Sequence, residues 1–358
     1  MPLQCHYLIG MMMGENDIEK ATRYCENRHI PVSLEVTNIC SARCSFCWYG
    51  KGGDWRKPGY VQEDVVQRFL DILGEHAKGG DVINLSTAHG DVLTYKKFPE
   101  IIRRITSVPG IAGVPFFTNG ILLHRFDIDE LLGLKIHHAN FSTAIGGEEQ
   151  YKRLYGRDSY KLTFNNIVQF IEKNNQRGRK KIPVKVLLRV DKPFSKTIES
   201  EDFKIIESLI GKHRISFLDE WDDYNGLIKK EDLPFGHTFK KVRPTAGIPC
   251  YALYRKLEVL KDGDVSCCIC RLSEELIVGN IFDSASFKDI WHGEFMKRLR
   301  ENWLIGKYPR ICATCSHYQP VTELYQSLKR SSNIVYRYID LFKYRLRLDR
   351  DSMSEVEK

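Results

Sequence analysis

The sequence lacks the long apolar runs that would place a chain in or across a membrane. The longest apolar stretch near the N-terminus, residues 7–13, is too short to span a bilayer and has no basic flank, so neither a transmembrane helix nor a secretory signal is expected. Repeats and low-complexity segments are also missing, and hydrophobic residues at 42% with charged residues at 28% are ordinary for a globular protein. These absences predict a folded, cytoplasmic protein.

Common catalytic motifs are absent as well. The chain has no P-loop, no G-x-G-x-x-G turn, no H-E-x-x-H pair and no nucleophile elbow, which excludes the commonest nucleotide-binding, metalloprotease and hydrolase classes. The net charge of +8 over 358 residues permits an anionic ligand and does not indicate nucleic acid as a partner. At about 150 residues per domain, this length predicts one large core with a smaller addition.

Cysteine is missing from residues 48–249, although the chain holds eleven cysteines. Without an export signal they are expected to be reduced, so metal binding explains them better than disulfides. The first group is Cys40-x3-Cys44-x2-Cys47, directly after a predicted strand. Three thiolates on one tight loop suit a four-iron cluster with one open iron, whereas structural zinc prefers a fourth protein ligand, which this stretch of sequence does not offer.

This C-x3-C-x-aromatic-C motif, with Phe46 as its aromatic residue, resembles the radical S-adenosylmethionine (SAM) superfamily. The resemblance implies that Cys40, Cys44 and Cys47 bind a [4Fe-4S] cluster whose open iron chelates SAM. It also implies a flavodoxin- or ferredoxin-type electron donor. Cleavage of SAM would then yield a 5′-deoxyadenosyl radical that abstracts hydrogen from a substrate carbon.

A second group of cysteines lies in the C-terminal third of the chain. The candidate ligands, spaced by 18, 44 and 3 positions, are Cys250, Cys268, Cys312 and Cys315. Four thiolates would close off a second iron-sulfur cluster completely, and the same set would also hold a structural zinc. Cys267 and Cys270 flank Cys268, so the ligand among these three is open, with the Gly263-x4-Cys268 spacing in favour of Cys268.

Together with Gly279-Asn280-Ile281 and the segment 287–291, this spacing is similar to the C-terminal SPASM/twitch extension of radical SAM enzymes. Twitch modules carry one auxiliary [4Fe-4S] cluster, and full SPASM domains carry two with additional cysteines. Because no cysteine follows Cys315, the resemblance implies a twitch module with a single auxiliary cluster. The arrangement resembles that of twitch-type aminocyclitol dehydrogenases.

Between the two cysteine groups, β-rich and amphipathic stretches alternate, which predicts an α/β fold of parallel strands covered by helices. The predicted strands are residues 33–36, 82–86, 113–117, 138–142, 184–190 and 215–218. The predicted helices are about 61–72, 98–105, 127–134, 162–171 and 202–210. Six strand–helix units are too few for a (β/α)8 barrel and match the partial (β/α)6 TIM-like barrel that the resemblance implies.

The predicted organisation has five parts. They are an N-terminal extension (1–30), the barrel (31–217), a linker (218–249), the twitch module (250–318) and a basic helical tail (319–358). In the module, residues 251–270 are expected to form a hairpin that turns at 261–264. One helix is expected to follow, with Phe287, Ile290, Trp291, Phe295 and Leu299 on one face.

Residues at the predicted strand ends are candidates for contact with SAM, because catalytic groups of such barrels lie there. His89-Gly90-Asp91 stands where the superfamily has Gly-Gly-Glu, so Asp91 would accept from the SAM ammonium, with a helix N-cap as the alternative. Ser142 aligns with a position that often binds the SAM carboxylate, or it bonds the local backbone. Arg189 is suited to pair with a carboxylate of SAM or substrate, with a surface ion pair as the alternative.

Two loops are open to more than one interpretation. Thr118-Asn119-Gly120 resembles a turn common in the superfamily, and as bare sequence it is only a turn signal. The segment 219–226, Asp-Glu-Trp-Asp-Asp-Tyr-Asn-Gly, follows the last strand and would overhang the active-site mouth. Its carboxylates and rings suit a polar, hydroxylated or amine-bearing ligand, and a solvated acidic loop is the alternative.

These features predict a radical SAM oxidoreductase that acts on a small polyhydroxylated molecule, such as an aminocyclitol, sugar or nucleotide sugar, with the auxiliary cluster as electron acceptor. The alternative is an enzyme that matures a peptide or protein; against it, the roughly 30 residues before the barrel are too few for a separate leader-binding domain. An alternative of another class is a non-catalytic metal-binding scaffold. No catalytic acid or base can be assigned from the sequence.

Overall fold

The computed structural model describes residues 15–85 and 89–331. Cys5, residue 86 of the second predicted strand and residues 332–358 of the predicted tail lie outside the described residues. The strands are β1 (Val32–Leu34), β2 (Asp81–Val82), β3 (Ile111–Thr118), β4 (Ile136–Thr143), β5 (Val184–Leu188), β6 (Ile215–Phe217), β7 (Glu220–Trp221), β8 (Thr238–Phe239), β9 (Leu257–Val259), β10 (Asp264–Ser266) and β11 (Ile277–Asn280).

The helices cover the sheet in sequence order. They are α1 (Glu15–Glu26), α2 (Glu63–His76), α3 (Phe98–Thr106), α4 (Ile128–Gly133), α5 (Glu148–Tyr155), α6 (Tyr160–Gln176), α7 (Phe194–Ile198), α8 (Glu201–Ile210), α9 (Phe287–Trp291), α10 (Glu294–Leu304) and α11 (Val321–Ser331). Within the described residues, no helix is long and apolar enough to cross a membrane.

The central sheet has the order β2-β3-β4-β5-β6 with every pairing parallel. β1 approaches β2 through a parallel bridge between Ser33 and Asn84. All six strands expected from the β-rich stretches are present, and the partial (β/α)6 barrel is confirmed. In such a barrel the carboxyl ends of the strands face one side, where the loops after them meet.

Aromatic packing between sheet and helices forms the centre of the barrel core. The rings of Phe116 on β3, Phe141 on β4 and Phe170 on α6 lie 5.3–6.0 Å apart between centroids, and all three side chains are fully buried. Each such burial stabilises the fold by about 1.5–3 kcal/mol. This packing fixes the strand ends that carry the candidate site residues.

The C-terminal module extends the barrel sheet at β1. β9 pairs in parallel with β1, with Val32 opposite Leu257, and β10 and β11 continue this second sheet in antiparallel order. The predicted hairpin turn at 261–264 is present. Residues 251–254 form a 3-10 turn instead of the start of the hairpin, and the last three of them are buried.

The prediction of a single helix after the hairpin is wrong, because the structure has two helices there, α9 and α10. Gly293 lies at the break and donates its N–H to Ile290, and a Cβ at this position would come within 2.7 Å of the Asp289 oxygen. The break also turns Phe295 away from the buried face of Phe287 and Trp291, leaving Phe295 61% exposed.

The segment 218–249, expected to be a linker, contains ordered structure. β7 and β8 pair in parallel, with Trp221 opposite Phe239. At the other side of the module, α1 packs on α11, where the rings of Tyr24 and Tyr325 lie 5.2 Å apart. Because β7 and β8 pair, the segment after β6 is an ordered part of the fold and not a linker without structure.

Candidate active site at the two cysteine groups

The first cysteine group lies on the loop after β1, at the carboxyl edge of the barrel. Backbone bonds from Arg43 N to Tyr155 O (2.9 Å) and from Ser45 N to Leu154 O (3.1 Å) hold the loop against α5. Burial, with a smaller contribution from nearby Asp91, raises the pKa of Cys40 to about 12, and burial also raises the pKa of Cys44 well above its usual value. Thiols buried in this way ionise when a metal supplies positive charge, so the donor set fits an iron-sulfur cluster.

Arg189 lies beside this loop, just after β5, in an aromatic cage. Its guanidinium carbon is 5.1 Å from the centroid of Trp221 and 5.9 Å from that of Phe46. Its Nε and Nη1 atoms are buried and have no hydrogen-bond partner among the described residues. Burial lowers the pKa of Arg189, and the thiols of the loop are among the groups that favour its charge. Unpaired buried donors are costly, so the site fits a carboxylate ligand.

Ser142 and Phe46 flank the same space. The Ser142 hydroxyl, on β4, lies 3.5 Å from the Tyr155 hydroxyl, and the Phe46 ring meets the Tyr155 ring edge to face at 5.9 Å. The Phe46 side chain is 7% exposed. The structure thus brings Phe46, Ser142 and Arg189 together, although they come from three different strand ends.

Asp91 binds protein groups with both carboxylate oxygens. It accepts hydrogen bonds from the backbone N–H groups of Leu93 (3.0 Å) and Asn119 (2.8 Å) and from the Thr118 hydroxyl (2.8 and 2.9 Å). This is the N-cap geometry given above as the alternative, and contact with the SAM ammonium stays a prediction. Gly90 has φ +78°, and a Cβ there would lie 2.5 Å from the Thr37 oxygen, so only glycine fits against the cysteine loop.

The Thr118-Asn119-Gly120 segment contacts the first cysteine loop through the side chain of Asn119. The Asn119 side-chain amide lies 3.7 Å from the Cys40 sulfur and donates to the Ser41 hydroxyl at 3.0 Å. Hydrogen bonds to cluster sulfurs tune reduction potential. Asn119 is therefore a site residue whose role the turn signal concealed.

A buried chain of charged groups lies on the other side of the cysteine loop. His89 Nδ1 is 3.0 Å from Asp54 Oδ2, Arg56 binds the same carboxylate at 3.0 Å, and Arg56 Nη2 donates to Glu35 at 2.9 Å. Burial opposes ionisation of Asp54, but hydrogen bonds from His89 and Arg56 hold its pKa below the usual value. The His89 ring also meets Trp48 edge to face at 4.1 Å. This chain ties the segment after Cys47 to the ends of β1 and β2.

The second cysteine group lines a cavity in the C-terminal module. The thiols around it are those of Cys250, Cys268, Cys270, Cys312 and Cys315. Cys267 is directed away, with its sulfur 3.6 Å from the Leu276 carbonyl oxygen in the core. Burial raises the pKa of Cys250 to about 12, whereas a hydrogen bond from Cys268 lowers that of Cys270 to about 7.

Within residues 15–85 and 89–331, no three His, Cys, Asp or Glu side chains converge at the spacing of a single metal ion. The five thiols instead surround a shared cavity and come from three separate segments: one thiol from residue 250, two from 268–270 and two from 312–315. This donor set fits a fully ligated cluster and offers one thiol more than four irons need.

Within the segment 219–226, Asp222 is buried, whereas residues 219, 220, 225 and 226 are exposed as a solvated loop would be. Asp222 is 2% exposed and accepts from Arg271 Nε at 2.9 Å, while Arg271 Nη1 donates to the Thr314 hydroxyl at 2.8 Å. Burial opposes ionisation of Asp222, yet the bonds from Arg271 hold its pKa below the usual value. Neither partner carried a sequence signal for this contact, because 49 positions separate them.

A cavity of about 430 Å³ opens between residues 48–55, which follow the first cysteine loop, and the C-terminal module. Its aromatic lining comes from Trp48, which follows Cys47, and from Trp55 and Tyr224. The rings of Trp48 and Tyr224 stack at 5.6 Å with an interplanar angle of 12°. The polar lining includes Ser273 and Glu274. Pockets of this volume commonly hold small molecules.

Comparison with known proteins agrees with this geometry. The family profile described as "Radical SAM superfamily" matches residues 34–188, and the SPASM profile, described as "Iron-sulfur cluster-binding domain", matches residues 250–316. GTP 3′,8-cyclase of Chlorobaculum tepidum is 28% identical over 132 residues, covering 36% of this chain and 37% of the relative. Sporulation killing factor maturation protein SkfB of Bacillus subtilis is 28% identical over 169 residues, covering 46% and 37%.

The chain spans less than half the length of the curated relatives that it matches first. Among solved structures, Streptococcus suis SuiB bound to precursor peptide SuiA aligns with a TM-score of 0.55 at 14% identity, over 80% of this chain and 70% of SuiB. BtrN in complex with AdoMet and 2-DOIA aligns with a TM-score of 0.48 at 14% identity, over 78% and 89%, which is too weak to favour its substrate. The likeness to SuiB shows a shared fold. The chain therefore carries a radical SAM domain followed by a SPASM domain, binds SAM and [4Fe-4S] clusters, and belongs to the radical SAM superfamily.

Proposed function

We propose that this chain is a radical SAM oxidoreductase that abstracts hydrogen from a small polyhydroxylated molecule, such as an aminocyclitol, sugar or nucleotide sugar, and oxidises it. When bound, the clusters and SAM supply a 5′-deoxyadenosyl radical and, at the auxiliary site, an electron acceptor. The observation that carries the proposal is the 430 Å³ cavity that borders both cysteine-bearing segments.

Side chains of the barrel would hold SAM in place. Arg189 would bind its carboxylate through the two unpaired nitrogens, because a guanidinium pairs with a carboxylate in a fixed planar geometry. Phe46 and Trp221, whose rings lie 4.5 Å apart, would exclude water from that contact. The exclusion of water strengthens the ion pair by lowering the local dielectric constant.

The cavity suits a ring-shaped polar substrate. The faces of Trp48, Trp55 and Tyr224 would pack on the C–H surface of such a ring. Ser273 and Glu274 would accept hydrogen bonds from hydroxyl or amino groups, and an ammonium would also be attracted to the aromatic faces. The volume of about 430 Å³ matches a small molecule.

A second candidate function is the maturation of a peptide. The similarity to SkfB, named as a maturation protein, favours it over 169 residues of sequence. The cavity is also open on one side, where Trp55 is 43% exposed, so an extended chain could cross it. Both candidates use the same cysteines and differ in what enters this cavity.

The experiment is a substrate panel on anaerobically reconstituted protein with reductant, in which 5′-deoxyadenosine and product mass are measured. Release of 5′-deoxyadenosine with an aminocyclitol, sugar or nucleotide sugar that loses two hydrogen atoms supports the proposal. Release only with a peptide supports the second candidate. The triple variant in which Cys40, Cys44 and Cys47 are alanine is the control, and absence of 5′-deoxyadenosine under every condition would point to a non-catalytic scaffold.

A further inference from the structure

One loop contacts both cysteine sites through side chains that follow each other in sequence. Trp221 packs on Phe46 at 4.5 Å and on the Arg189 guanidinium at 5.1 Å, beside the first cysteine group. The next residue, Asp222, binds Arg271 in the C-terminal module. The same short segment therefore forms one wall of the Arg189 cage and is attached to the wall of the auxiliary cavity.

The loop is attached to the C-terminal module by several hydrogen bonds of one buried arginine. Arg271 is 2% exposed and donates to Asp222, to Asp223 at 2.8 Å, and to the backbone oxygens of Ile311 (3.1 Å) and Thr314 (3.0 Å). Arg271 directly follows Cys270, and Thr314 lies between Cys312 and Cys315. The loop is thus bound to the two segments that supply four of the five cavity thiols.

The backbone of the loop shows that this attachment constrains it. Tyr224 and Asn225 have φ of +46° and +62°, the only positive values outside glycine within the described residues. Such conformations are costly for side-chain-bearing residues and persist only where surrounding contacts hold them. Here the Asp222 carboxylate accepts from Tyr224 N at 2.7 Å, and the Thr314 hydroxyl binds the Asn225 side chain.

We propose that Asp222 and Arg271 are positioning residues that couple the auxiliary module to SAM binding. Their ion pair holds Trp221 over Arg189, so the guanidinium stays dry and oriented for the SAM carboxylate. The module then has a role at the SAM site that is separate from electron transfer. The inference rests on the proposed role of Arg189 and is independent of the substrate.

The test is the affinity of holoprotein for SAM, measured by equilibrium dialysis without turnover. Asp222→Asn weakens the ion pair and leaves the side chains of the cage unchanged, and SAM affinity is expected to fall about tenfold, within the usual range of coupling between sites. Asp222 Oδ2 also lies 4.0 Å from the Cys315 sulfur, so the auxiliary iron content of the variant is measured alongside. The SAM-induced change in the EPR signal of the first cluster should shift to the same higher concentration. Asp129→Asn, which breaks the exposed pair with Lys173, is the matched control and should leave SAM affinity unchanged.

Two further measurements keep the result decisive. Because coupling is reciprocal, SAM should slow backbone hydrogen exchange in residues 219–226 of the parent protein and not in Asp222→Asn. If Asp222→Asn loses auxiliary iron, the milder variant Asp223→Asn tests the proposal instead. The Asp223 side chain is 28% exposed and also pairs with Arg271, so a smaller loss of SAM affinity is expected.

The proposal is overturned by a variant, Asp222→Asn or Asp223→Asn, that keeps its iron and shows faster hydrogen exchange in residues 219–226 while its SAM affinity stays within twofold of the parent protein. It is also overturned if SAM leaves exchange in the loop of the parent protein unchanged. Neither outcome depends on a substrate, so failure here is distinct from failure of the substrate panel, which tests the proposed function alone.

Discussion

Two buried arginines mark the difference between the two cysteine sites. Arg189, beside the first group, has two nitrogens without a partner among the described residues. Arg271, beside the second group, donates from Nε, Nη1 and Nη2 to carboxylates, a hydroxyl and backbone oxygens. A buried arginine with open donors is a place for an incoming anion, whereas a fully paired one holds the structure together. The comparison indicates that the outside ligand binds at the first site.

The thiols repeat this contrast. Three thiols of the first site come from one loop of eight residues, 40–47, while five thiols of the second come from three segments that enclose a cavity. A loop presents its ligands from one side and leaves room opposite them. A cavity surrounded by thiols from three segments leaves none. This contrast supports the proposal that the first site is the reactive one and that the second is closed.

The largest expected effect is on the first site as a whole. Changing Cys40, Cys44 and Cys47 together to alanine should abolish SAM cleavage and reduce iron from about eight to about four per chain, because each site is expected to hold one four-iron cluster. Iron and acid-labile sulfide analysis after anaerobic reconstitution checks this. About four irons falling to none, with zinc in the remainder, would show that the second site is not an iron-sulfur centre.

The second prediction separates the three adjacent cysteines of the closed site. The ligand set expected from the sequence spacing includes Cys268 and leaves out Cys270, so Cys268→Ala should remove the auxiliary cluster and about four irons. Cys267→Ala should retain all iron, because that thiol faces the core and not the cavity. Iron analysis and EPR of each variant give the answer. Retention of iron in Cys268→Ala with loss in Cys270→Ala would reassign the ligand to Cys270. Retention of iron in both Cys268→Ala and Cys270→Ala would show that either thiol can complete the set, since both line the cavity.

The third prediction concerns the open arginine. Arg189→Lys should weaken SAM binding by about ten- to a hundredfold, as expected for losing a charge-assisted pair of about 1.5–3 kcal/mol. Equilibrium dialysis on holoprotein measures it. Arg153→Lys, at an exposed arginine that pairs with the largely buried Asp191, is the control and should change SAM affinity less than twofold. An equal loss of SAM affinity in both variants would contradict the proposed role of Arg189 in binding the SAM carboxylate.

The smallest expected effect is on the potential of the first cluster. Asn119→Ala removes the amide that lies 3.7 Å from the Cys40 sulfur, so the reduction potential should fall on the order of tens of millivolts. Spectroelectrochemical titration of the two clusters measures the shift. The auxiliary cluster, far from Asn119 in the fold, is the internal control, and a shift of both potentials together would indicate a general structural change.

The barrel was well predicted because its signals are local. Each of the six strands is a short β-rich run, five predicted amphipathic helices follow along the chain, and both periods can be counted in sequence. α5 and α7 were missed because they are short, at eight and five residues. The division of the predicted helix at Gly293 was missed because it depends on a close backbone contact with Asp289 that no spacing reveals.

The site was predictable to the extent that its residues are adjacent in sequence or end a strand. The spacing of Cys40, Cys44 and Cys47 and the strand-end place of Arg189 required no tertiary information. The pairing of Asp222 with Arg271 and the approach of Asn119 to Cys40 required it, because these partners are 49 and 79 positions apart. Long-range polar pairs leave no periodic pattern in a single sequence.

The parallel pairing of β1 with β9 has a consequence for the order in which the protein is made. Val32 and Leu257 are neighbours in the sheet. During synthesis, β1 therefore cannot pair with β9 until about 220 further residues have left the ribosome. Until then one edge of β1 is unpaired and open to wrong partners. Insertion of iron at the first loop would therefore be best timed after β9 has left the ribosome, when that edge of β1 is paired.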